Sequence, residues 1–280
     1  TLLAKAGSLG GDGGQIETSG GHVDIDGLIV NAGSTLGKVG LWLLDPYNYT
    51  IDASAASTIG NALNTQNVTV TTASNVSGYG SSGNSGDLGD IIFGSGVNIT
   101  KTGEAETTLT LKADRKITGS TYNVKTTDGA LNVVLWSGAA GNGGGAMLGG
   151  ITTRGGDLWV GGGSGSATWN GLTVGDGYAT GVSGGNWNAV DWYGDIDTRT
   201  SGGTTGGDVN FQIASGVSGS YGLYIPNAGR QILAGDGDIT IVANTYSWGS
   251  NTPTLTSTGD FTWLSAASSF GQSVNNTWYN

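Results

Sequence analysis

The stretch Gly207-Asp208-Val209-Asn210-Phe211-Gln212-Ile213 carries the pattern that decides the fold. From Val209 to Ile213 apolar and polar residues alternate, so one side of an extended strand faces a core and the other faces water. The Gly-Asp pair in front makes a corner: glycine tolerates the bend, and the aspartate carboxylate can accept from turn amides. The unit recurs at Gly89-Asp90-Ile91, Gly156-Asp157-Leu158, Gly194-Asp195-Ile196, Gly237-Asp238-Ile239 and Gly259-Asp260-Phe261. Further alternating runs are Val23-Asp24-Ile25-Asp26, Val68-Thr69-Val70-Thr71, Val97-Asn98-Ile99-Thr100, Leu109-Thr110-Leu111-Lys112, Leu172-Thr173-Val174 and Ile239-Thr240-Ile241-Val242. Each is short and ends at glycine, asparagine or serine, the residues of tight turns. Helical periodicity is hard to find, and neither end shows an amphipathic capping helix.

Composition narrows the field in the same direction. The 280 residues include 55 glycines, 3 prolines, 1 histidine and no cysteine. Glycine without a Gly-X-Y period and with so little proline excludes collagen. So much glycine also disfavours a helical bundle, because each helix-interior glycine costs ~1 kcal/mol relative to alanine. A hydrophobic content of 36% with only 11% charged residues argues against disorder. The net charge of −11 argues against a nucleic-acid partner, whose phosphates need a basic surface. No apolar run approaches the ~20 residues of a membrane span.

Stacked coils account for these features together. The prediction is an all-β chain folded as a parallel β-solenoid, residues 1–280 forming one domain with loop insertions. At about 20 residues per coil the chain would make roughly 13–14 coils. Residues 77–90 are the expected excursion from the coil, and residues 266–280, which end in aromatics, a docking tail. The N-terminus lacks the basic start and apolar core of a signal peptide and has no initiating methionine, so the expectation is a processed chain or a piece of a larger precursor.

Two segments resemble a known family. Gly13-Gly14-Gln15-Ile16-Glu17-Thr18-Ser19-Gly20, followed by Gly40-Leu41-Trp42-Leu43-Leu44-Asp45-Pro46-Tyr47-Asn48-Tyr49-Thr50-Ile51, is similar to a pair of coils in filamentous-haemagglutinin-like exoproteins of two-partner secretion. Later segments, such as Gly149-Gly150-Ile151-Thr152-Thr153-Arg154-Gly155-Gly156-Asp157, resemble that family's repeats. The resemblance implies a right-handed parallel β-helix that is secreted to the extracellular surface of a Gram-negative bacterium. It implies export through an outer-membrane transporter and a role in adhesion, matrix or filament structure. Absence of cysteine fits export of an unfolded chain. The family's N-terminal secretion domain, with its Asn-Pro motifs, has no counterpart here.

Few residues have the chemistry or spacing of a reactive site. His22 is the only histidine, so a triad or zinc site would have to use it; a surface histidine is the plainer reading. Carboxylate pairs stand at Asp24/Asp26, Asp195/Asp197 and Asp236/Asp238, and a β-helix lyase or hydrolase would need such acids to converge from adjacent coils beside a basic residue. Solubility and turn capping explain the pairs as well. Asp236-Gly237-Asp238 does not meet the spacing of calcium-binding repeats. Thr69/Thr71, Thr108/Thr110 and Thr198/Thr200 lack the fixed period of an ice-binding face. Sequons at Asn48, Asn67, Asn75, Asn98 and Asn275 occur at about the number chance predicts. No catalytic residue, cofactor or metal site is expected.

The tryptophans are the most informative. If Leu131, Val133 and Leu135 point inward, Trp136 points out; if Leu158 and Val160 point inward, Trp159 points out. Trp136, Trp159, Trp187, Trp192, Tyr193 and Trp278 form the candidate interaction surface. Either loops fold over them, or they meet a neighbouring subunit or a glycan. The main reading is a non-enzymatic structural or adhesive solenoid that self-associates head to tail or laterally. A glycan-binding module and a polysaccharide lyase or hydrolase are the alternatives.

Overall fold

The computed structural model describes residues 1–73, 88–141, 143–182, 188–214, 216, 220–248 and 252–267. Most of the expected excursion at 77–90 and of the tail at 266–280 lies outside these residues. Strand β1 (Leu2–Leu3) precedes β2 (Gln15–Ser19), and β3 (Val30–Asn31) pairs back on β1. The second coil holds β4 (Leu41–Asp45), β5 (Tyr49–Ile51) and helix α1 (Ala53–Ala62). The third holds β6 (Asn67–Thr71), β7 (Ile91–Phe93) and β8 (Asn98–Lys101), and the fourth β9 (Thr107–Lys112), β10 (Ile117–Thr118) and β11 (Asn123–Thr126). Then come β12 (Leu131–Trp136), β13 (Ala146–Leu148) and β14 (Gly150–Thr152). The sixth coil has β15 (Leu158–Trp169), its antiparallel partner β16 (Leu172–Gly177), β17 (Val190–Trp192) and β18 (Ile196–Asp197). β19 (Val209–Gln212), β20 (Leu223–Tyr224) and β21 (Gln231–Gly235) follow, then β22 (Ile239–Val242), β23 (Tyr246–Ser247), β24 (Thr254–Ser257) and finally β25 (Phe261–Leu264).

Apart from the two-stranded β1–β3 sheet, these strands stack into three sheets whose coil-to-coil pairings are parallel. The long sheet runs β2-β4-β6-β9-β12-β15-β19-β22-β25, the second sheet β5 to β23 and the third β8 to β24. The β-solenoid is therefore as the alternation predicts. Its coil number is not: nine stacked strands replace the expected 13–14, and eight steps of ~4.8 Å give a rod of roughly 38 Å. The difference arises because residues leave the coil for α1, for the β15–β16 hairpin and for long connections, so the mean coil is longer than 20 residues.

Register puts like residues above like. Leu111, Leu135, Val160, Phe211, Ile241 and Trp263 form one inward column of the long sheet. At the corner leaving the third sheet, buried hydroxyls cap turn carbonyls that would otherwise be orphaned. Thr126 Oγ1 donates to Asp128 O (2.6 Å), Thr198 Oγ1 to Gly207 O (2.6 Å), and Thr153 Oγ1 to Gly156 O. The buried Lys101 ammonium acts likewise from the coil before, donating to Asp128 O at 2.7 Å.

Gly89 takes the positive φ (80°) that the turn reading expects, but the Gly-Asp units at 156, 207, 237 and 259 hold a corner for a different reason. Asp157 N donates to Asn132 Oδ1 (2.9 Å), Asp208 N to Asp157 Oδ1 (2.8 Å), Asp238 N to Asp208 Oδ1 (2.8 Å) and Asp260 N to Asp238 Oδ1 (2.7 Å). Each side chain thus anchors the next coil. Gly207 does not adopt a positive φ. It is glycine because a Cβ there would lie 2.1 Å from Gly156 O in the coil beneath.

One further expectation fails. Val23-Asp24-Ile25-Asp26 is not a strand, because Asp24 Oδ1 takes the Asp26 amide (2.9 Å) and closes a turn. Helix α1, inside the second coil, packs on β8, the edge strand of the third sheet. Asp52 caps its start, accepting from Ala55 N at 2.9 Å. Gly60 lets it approach the sheet, since a Cβ would stand 2.5 Å from Thr100 O.

Candidate functional site

The β15–β16 hairpin leaves the sixth coil and folds over the outer face of the long sheet. Its turn is Asn170-Gly171 with φ of 47° and 78°, the left-handed pair of a type I′ turn. Beneath it Val134, Trp136, Trp159, Leu172 and Val174 form an apolar cluster separate from the main core, flanked by Ala139 and Trp169. Trp136 Nε1 donates to Gly163 O at 2.6 Å, and Lys112 Nζ sits 4.3 Å over the Trp136 ring. At the tip, Asn170 Nδ2 donates to Asp157 Oδ2 (3.0 Å) and Asp208 Oδ2 (2.7 Å). The hairpin is therefore latched to the aspartate column. Burial pushes the Asp157 carboxyl above its ordinary range, and the neighbouring Asp208 and Glu106 add to this. The amide of Asp208 and the Asn170 side chain pull the other way.

Of the six residues of the predicted surface, Trp136, Trp159 and Trp192 are buried. Trp136 and Trp159 do point out of the coil, but the hairpin covers them, leaving 3% and 2% exposed. Trp192 points the other way, into the core, with its ring edge-on to Phe211 at 6.3 Å. Tyr193 is half-buried beside it, and its carbonyl accepts from Arg230 Nη1 at 3.0 Å. Trp187 and Trp278 lie outside the described residues.

What the hairpin leaves open is a groove along its other edge. It encloses about 230 Å³ and is lined by Trp159, Trp169, Asp176, Tyr178, Asn210 and Gln212 together with neighbouring residues of β15 and β16. Trp159 lies across Gly161, where a Cβ would meet its ring at 2.6 Å. Gln212 Nε2 donates to Asn210 Oδ1 at 2.6 Å, and Gly165 N donates to Asp176 Oδ1 at 3.0 Å. Sequence reading missed Asp176, Tyr178, Asn210 and Gln212. The Asn-Gly turn between two β-runs was the signal for the hairpin; nothing local says where the hairpin lands.

The singled-out acids are each engaged. Asp24 takes the Asp26 amide and Asp26 takes Ser54 Oγ. Asp195 Oδ1 makes an ion pair with Arg230 Nη1 at 3.3 Å but no hydrogen bond, whereas Asp197 accepts two hydrogen bonds from the Arg199 guanidinium, the shorter at 2.7 Å. Burial would raise the Asp197 carboxyl, but the Arg199 hydrogen bonds hold it below the ordinary range. Asp236 accepts from Gly206 N at 2.9 Å. His22 is exposed. A second hollow of about 320 Å³ beside the start of α1 includes Asp24, Asp26 and Asp52. Among the described residues no three metal-binding side chains cluster closely enough to hold an ion, and no helix is long and apolar enough to cross a membrane. Three sequon asparagines serve the coils: Asn48 accepts from Asp90 N (2.8 Å), Asn67 from Thr108 N (2.8 Å) and Asn98 from Asn123 Nδ2 (2.7 Å). Asn75 and Asn275 lie outside the described residues.

Large exposed apolar side chains gather at the two ends of the rod. Leu3, Leu9, Ile29 and Leu36 belong to the first coil and its approach, Phe261 and Leu264 to the last strand. Leu9 is 99% exposed, and Phe261 and Leu264 are 51% and 53% exposed. No family model, curated protein or solved structure matches this chain.

Proposed function

We propose that the chain is a non-enzymatic structural and adhesive rod of the bacterial cell surface whose copies associate end to end. The observation that carries this reading is the concentration of exposed Leu3, Leu9, Ile29, Leu36, Phe261 and Leu264 at the two ends. A solenoid end is also a row of strand edges that can add another strand. The two ends differ, so their contact is heterologous and propagates into a filament instead of closing as a dimer. The segments at 13–20 and 40–51, which resemble filamentous-haemagglutinin-like exoproteins, support export by two-partner secretion to the extracellular surface. Structural engagement of the acid pairs supports a non-enzymatic role.

The test uses two double variants, Leu9→Glu/Leu36→Glu and Phe261→Glu/Leu264→Glu. Electron microscopy and sedimentation of the parent chain should show polymers that lengthen with concentration. Each variant alone should remain monomeric. Mixed together they should give heterodimers and nothing longer, since each retains one intact end. A parent that stays monomeric at high concentration, or variants that polymerise like it, would overturn the reading.

A further inference from the structure

We propose that the groove between the hairpin and the long sheet binds a neutral saccharide, successive pyranose rings of one chain lying against Trp169 near the hairpin tip and Tyr178 at its base, with hydroxyls held by Asp176 and Gln212. This deepens the adhesive role proposed above and is independent of end-to-end association.

Three observations carry it. The first is the pairing of surfaces. Trp169 is half-buried and Tyr178 is 41% exposed, and both line the same open groove. A pyranose has an apolar C–H face and a rim of hydroxyls, and aromatic rings offer the matching apolar surface. The second is unused hydrogen-bonding capacity. Among the described residues Asp176 Oδ2, the Tyr178 hydroxyl, Trp169 Nε1 and Gln212 Oε1 make no hydrogen bond, while Asp176 Oδ1 and Gln212 Nε2 are fixed by Gly165 N and Asn210. The polar groups are thus oriented by one atom and open at another, as a hydroxyl-rich ligand requires. The third is charge. Asp176 is the one acidic side chain of the lining and no basic one joins it, and Asp157 and Asp208 stand at the hairpin tip. Coulomb repulsion then disfavours sulfated and carboxylated sugars. The bonds from Trp136 to Gly163 and from Asn170 to the two aspartates pre-form the groove, so little ordering is lost on binding.

The experiment titrates the intact chain with maltohexaose, cellohexaose and mannohexaose, and with a heparin hexasaccharide as anionic probe, by tryptophan fluorescence and saturation-transfer NMR. At least one neutral hexamer should bind saturably. Tyr178→Ala and Gln212→Ala, folded by circular dichroism, should each weaken it by about tenfold or more. Phe261→Glu/Leu264→Glu should bind as the parent does. No binding of any neutral hexamer at millimolar concentration overturns the proposal, as do tighter binding of heparin or unchanged binding in both groove variants. Sugar binding that survives alongside a strictly monomeric parent would sink the end-to-end reading and leave this one standing.

Discussion

Gly207 shows how a single atom sets the coil spacing. Its missing Cβ is the space through which the Gly156 carbonyl approaches, and Gly237 repeats the relation against Gly207 O. Gly207→Ala should therefore lower stability by about 1–3 kcal/mol, the usual cost of forcing atoms into a packed interior. Gly202→Ala is the control: nothing lies within 4 Å of its Cβ position, so it should be neutral. Urea unfolding of the two variants checks this, and equal midpoints would refute it. The sequence made these glycines visible but suggested turn freedom as their reason. Close approach depends on the coil beneath, which is 51 residues away at Asp208 and Asp157. The orientation of Trp192 was hidden for a similar reason. Val190, Asp191 and Trp192 are all buried, so alternation offers no phase to read.

At the level of elements, the hairpin changes the meaning of the outer face. All six residues of β12 are buried, including those on the solvent side, because β15 and β16 lie over them. Asn170 holds that cover in place. Asn170→Gly keeps the left-handed turn while removing both hydrogen bonds to the aspartates. It should expose Trp136 and Trp159 to acrylamide quenching and red-shift the fluorescence, with a loss of about 1–3 kcal/mol from two bonds to charged acceptors. Unaltered quenching would show that the apolar cluster holds the hairpin by itself. The long-sheet strands were legible in the alternation, whereas α1 was not. Residues 53–62 hold no charge and are mostly small, so its buried face differs little from its exposed one; only the Asp52 cap marks it.

The whole molecule is a one-dimensional stack in which each coil is supported by the coils above and below it. Stability should follow position. Amides of β9, β12 and β15, flanked on both sides, should exchange slowest with deuterium, and those of β2 and β25, which end the long sheet, fastest. Uniform protection along the sheet would contradict this. The corner column has a consequence of its own. Consecutive links in it join residues 25, 51, 30 and 22 positions apart, yet each makes the same contact. Height and chain length are therefore uncoupled. The rod works like a stair of equal treads with landings of any width. Duplicating a stretch between two links adds one tread, while an insertion between corners widens a landing and leaves every other tread in place.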